Sequence, residues 1–97
     1  MNGDPLELET LIAGILTMYE EAPVGIRAQV EGQSALIRSD FRRRETPVTP
    51  ATVRAYLLSV MFGGMAAGIG PEPTRASNAL GFHVAGACLL YRTVKGE

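Results

Sequence analysis

The sequence predicts an α+β fold: an antiparallel sheet packed on one long apolar helix, with a further helix at the N-terminus. Three observations predict it. Apolar residues recur at helical spacing near the start. They alternate with polar ones in two later stretches. Between these lies "YLLSVMFGGMAAGIG" (Tyr56 to Gly70), which carries no charge.

The first element is "DPLELETLIAGILTMYEE". Asp4 suits an N-cap and Pro5 the first helical position. Glu7 stands where a capping box places its acid. Leu8, Leu11, Ile12, Ile15 and Tyr19 form one apolar stripe, and Pro23 ends the helix. Next, Ile26, Ala28 and Val30 alternate with Arg27, Gln29 and Glu31, the pattern of a half-buried strand. "EGQ" reads as a glycine turn, after which Ser34 to Phe41 return as a second strand. "RRRETPVTP" is a polar connection.

Thr49 caps the next helix and Pro50 begins it, running to about Gly68. Its uncharged part falls short of the roughly 20 apolar residues a membrane span needs. Arg54 and the flanking prolines also favour a buried helix, with Gly64 and Gly68 close against a sheet. Met18, Met61, Phe62 and Met65 read as core. Beyond "GIGPEP", Leu80, Phe82 and Val84 alternate with Gly81, His83 and Ala85, and Ala87 to Val94 follow as a last strand.

A net charge of −1 argues against a nucleic-acid binder, and a single cysteine excludes an internal disulfide and a zinc cluster. No cofactor motif or metal set is written in the chain. The acidic start lacks a signal peptide's basic region, so a cytoplasmic setting is expected.

"TPATVRAYLLSVMFGGMAAGIGPEPTRASNALGFHVAG" resembles the hotdog-fold acyl-CoA thioesterases of the phenylacetate-degradation type, whose sheet wraps one apolar helix. "IGPEP" carries most of the likeness, and "GIRAQVEGQSALIRSDF" looks like that family's opening hairpin. The resemblance implies one hotdog-like domain over residues 1–97, incomplete at its C-terminus or completed by another subunit. It implies hydrolysis or binding of acyl-CoA thioesters, and a homodimer or higher homo-oligomer. Two departures stand against catalysis. Leu58 occupies the position of the family's catalytic acid, and Pro50, which has no N–H, that of its carbonyl-polarising glycine. The alternative reading is a non-catalytic hotdog-like module that binds an acyl ligand or a protein partner.

On this reading Thr49, Arg54, Leu58, Ser59, Ser77, Asn78 and His83 are the substrate-binding candidates, and Arg42, Arg43 and Arg44 would meet coenzyme A phosphates. Each also has a plainer reading. The arginine run is a solvated loop, Arg54 a snorkelling side chain, and Ser77 and Asn78 turn residues. His83, the single histidine, has no partner that the sequence identifies. Cys88, in "GACLLY", reads as a small buried hydrophobe. A homodimer is expected on physical grounds too, because a small sheet leaves edges that a twofold partner would cover.

Overall fold

The computed structural model of the chain describes residues 5–66 and 75–96. Within them the chain forms four helices: α1 (Pro5–Glu21), α2 (Val24–Arg43), α3 (Pro50–Ala66) and α4 (Arg75–Lys95). No strand occurs among the described residues. The α+β expectation is therefore overturned, and with it the hotdog fold, which requires a sheet.

Local chemistry sets the helix ends. Pro5 is the first residue of α1; Asp4, its expected cap, lies outside the described residues. The Ala22 N–H bonds the Tyr19 carbonyl at 3.1 Å, closing α1 before Pro23. Pro23 then stands at the N-cap of α2, and its carbonyl accepts the Arg27 N–H at 3.0 Å.

α2 ends in a Schellman motif. The Thr46 N–H reaches the Phe41 carbonyl at 2.8 Å and the Glu45 N–H reaches that of Arg42 at 3.0 Å. Glu45 holds the left-handed turn at φ 56°, a place where glycine is usual.

α3 starts as its sequence dictates. The Thr49 hydroxyl accepts the Thr52 N–H at 3.2 Å, and the Thr52 hydroxyl accepts the Thr49 N–H at 3.0 Å. This reciprocal cap satisfies two otherwise orphaned donors, one on each side of Pro50. The expected end at Gly68 and the GIGPEP stop lie outside the described residues.

The strand expectations fail for a periodicity reason. In α2 the buried residues are Val30, Ile37 and Phe41, spaced as one helix face, while Ala28 is exposed and Ile26 is 38% exposed. The alternation at Ile26, Ala28 and Val30 spans too few residues to fix a period. Gly32, expected as a turn, lies within the helix. In α4, Ala87, Cys88, Leu90 and Tyr91 are all buried, a pattern no single strand face can produce.

α4 is the central helix. It packs most extensively along α2, then against α3, and less against α1. The expected centre, α3, is instead one of three helices around it. Leu8, Ile12 and Leu16 of α1, Ile37 and Phe41 of α2, and Val53 and Leu57 of α3 meet α4 in one core. Met61 packs against that core, whereas Met18, expected inside it, is 72% exposed. Phe62 and Met65 lie in α3, but their side chains fall outside the described residues.

Candidate functional site

A part-buried polar group spans three helices. His83 of α4 sits between Gln33 of α2 and Tyr56 of α3. Its Nδ1 lies 2.8 Å from the Gln33 side-chain carbonyl oxygen, and its Nε2 lies 2.5 Å from the Tyr56 hydroxyl. A carbonyl oxygen only accepts, so Nδ1 carries the ring proton. Nε2 then accepts, and the Tyr56 O–H donates to it.

Aromatic contacts hold this relay. Tyr56 meets Phe41 edge to face at 5.4 Å between ring centroids, and His83 at 5.7 Å. Burial pushes the His83 pKa down and that of Tyr56 up; the Asp40 charge adds to the rise at Tyr56. Both shifts favour neutral rings, as the hydrogen-bond order requires. The imidazole therefore has no free nitrogen for a substrate, and the phenol is far from a phenolate. The arrangement ties α2, α3 and α4 together.

A second polar cluster joins α1 to α4. The Tyr91 hydroxyl donates to Glu9 at 2.5 Å, and Lys95 stands 3.4 Å from the same carboxylate and 5.1 Å above the Tyr91 ring. The Tyr91 hydrogen bond, more than the Lys95 charge, holds the Glu9 carboxyl below its usual range. Arg92 pairs with Glu20 at 2.8 Å, and the Tyr19 hydroxyl donates to Glu31 of α2 at 2.6 Å. The Arg92–Glu20 and Lys95–Glu9 pairs are surface ties, each worth about 0–1 kcal/mol.

The residues singled out in the sequence are not gathered into one pocket. Thr49 serves the α3 cap. Arg54 is half-buried, and its charge helps lower the Glu9 carboxyl. Leu58 packs against the core, and Ser59 is exposed. Ser77 and Asn78 belong to the first turns of α4 rather than to a helix-to-strand junction, and their side chains lie outside the described residues. Arg42 and Arg43 form the last turn of α2, with Arg44 as its C-cap, so the run is no loop. Asp40 takes both Arg43 and Arg44, the latter at 3.2 Å.

Gln33, Tyr56 and Glu9 were missed as partners, because each meets its counterpart across tens of residues. Cys88 is fully buried, with its thiol pushed up to about 12 by burial, so it is inert at neutral pH. No group of His, Cys, Asp and Glu among the described residues could hold a metal ion. No helix among them is long and apolar enough to cross a membrane. No protein-family model matches the chain, and no curated protein and no solved structure matches it.

Proposed function

We propose that this chain is a non-catalytic helical interaction module that joins a second copy of itself along α1. The observation that carries this is an uncovered margin of the α1 apolar face. Leu8, Ile12 and Leu16 are buried, but Leu11 is 44% and Met18 72% exposed. Between them, a Cβ built on Gly14 would meet nothing within 4 Å.

Self-pairing fits this margin better than a charged partner. "TLIAGILTMY" (Thr10 to Tyr19) carries no charge, so the middle of the seam is apolar, with Glu7 and Glu21 at its two ends. Leu11 and Met18 are equidistant from the Gly14–Ile15 peptide. An antiparallel twofold axis there sets Leu11 of one copy against Met18 of the other, and the open Gly14 lets the backbones approach. The sheet edges that first suggested a homodimer are gone, and helix faces take their place.

Hydrolysis has little support from the geometry, since both His83 nitrogens are engaged and Cys88 is sealed in the core. Light scattering over a dilution series tests the proposal. A species of twice 10.3 kDa is expected, reverting to monomer in Leu11→Glu/Met18→Glu. A monomer at high micromolar concentration, or a dimer untouched by the double substitution, would contradict it.

A further inference from the structure

One groove remains outside both the relay and the α1 margin. It runs between α2 and α4, is open to solvent with a volume of about 470 Å³, and is lined by Glu31, Ser34, Arg38, Ser39, Arg42 and Thr93 over Ala35 and Leu89. We infer that it binds a soluble phosphate monoester, with the phosphate on Arg38 and Arg42 and a hydroxyl or amino group of the ligand toward Glu31.

The arginines of this region divide into two sets. Asp40 neutralises Arg43 and Arg44. Arg38 and Arg42 have no hydrogen-bond or ion-pair partner for their side chains among the described residues, yet they lie four positions apart on one helix face. Like charges at that spacing disfavour a helix, and an anion between them removes the penalty.

The donor set selects the anion. Two guanidinium forks and the Ser34 and Ser39 hydroxyls offer more donors than the two oxygens of a carboxylate can use, whereas a phosphate monoester presents three terminal oxygens. The Thr93 hydroxyl already donates to the Leu89 carbonyl at 2.9 Å, so it adds lone pairs only.

The far end has the opposite polarity. Glu31 accepts one hydrogen bond from Tyr19 and retains acceptor capacity. It stands about 10 Å from Arg38 along α2, at 1.5 Å per residue. Its charge repels a phosphate from that end and attracts a donor, which fixes the ligand's direction.

The test titrates the full ¹⁵N-labelled chain with AMP, with adenosine, and with vesicles of phosphatidic acid, all at constant ionic strength. AMP should shift the amides of Ser34, Arg38, Ser39 and Arg42 saturably, and adenosine should leave them in place. Arg38→Gln/Arg42→Gln should weaken AMP by about tenfold or more, the loss expected from charge-assisted hydrogen bonds. Arg43→Gln/Arg44→Gln should not. The inference is overturned by a flat AMP titration, by an equal response to adenosine, by undiminished affinity in the Arg38/Arg42 pair, or by binding confined to vesicles. If that pair unfolds, the comparison of AMP with adenosine still decides.

Discussion

A Cβ built on Gly86 would lie 2.7 Å from Cβ of Gln33 and 2.8 Å from the Ser34 nitrogen. The two longest helices thus touch backbone to backbone, beside the hydrogen bond that Gln33 shares with His83. Gly86→Ala should force α2 and α4 apart and cost about 1–3 kcal/mol by overpacking. Gly32 and Gly81 lie on the same two helices with open space at their Cβ positions. Alanine there should stabilise the protein by about 0.4–1 kcal/mol, because it lowers the entropy of the unfolded chain. Thermal unfolding of the three variants checks this. Equal effects at Gly86 and Gly81 would place the α2–α4 crossing elsewhere.

The end of α2 yields a prediction of opposite sign to the one at Gly86. Glu45 holds a left-handed φ of 56° that costs a non-glycine residue about 1–2 kcal/mol. Glu45→Gly relieves it, offset in part by the extra freedom glycine has when unfolded. A net gain of about 0.5–1 kcal/mol in denaturant unfolding is expected. A loss would mean that the Schellman turn is not formed.

His83 gives a pH dependence with a definite sign. Burial lowers its folded pKa below the ordinary 6.5, so the unfolded chain takes up the proton first. The contribution is fully present above 6.5 and is lost as pH falls through the folded value. His83 is the single histidine, so its ring protons titrate alone in an NMR spectrum. A midpoint below 6.5 is expected, together with a stability slope in that window that His83→Gln abolishes. A midpoint above 6.5 would contradict a neutral relay.

The parts of this fold that were legible were those written in local chemistry. Pro5 and the spacing of Leu8 and Ile12 mark α1, and Thr49 with Pro50 marks the start of α3, because caps and prolines act within a few residues. α2 and α4 were misread because short windows of alternation coincide with a helical face. Val30, Ile37 and Phe41 reveal the true period only across the whole of Val24–Arg43. Gly32 misled further: it resembles a turn, yet it lies within α2. The resemblance to a sheet-wrapped helix rested on "IGPEP" and on the apolar character of α3, and neither a short turn motif nor apolar character says what surrounds a helix. The relay stayed hidden because Gln33 and His83 are 50 positions apart, a pairing that periodicity cannot reveal.

Disulfide trapping tests the α1 pairing most directly. Cys88, the chain's native cysteine, is buried with its thiol near 12, so it stays out of the reaction in the folded protein. The Leu11→Cys and Met18→Cys variants are oxidised separately and as an equimolar mixture. Antiparallel pairing about the Gly14–Ile15 peptide predicts a cross-linked dimer in the mixture, holding one chain of each variant, and little from either variant alone. No cross-link in the mixture, or equally fast cross-linking of Leu11→Cys with itself, would contradict it.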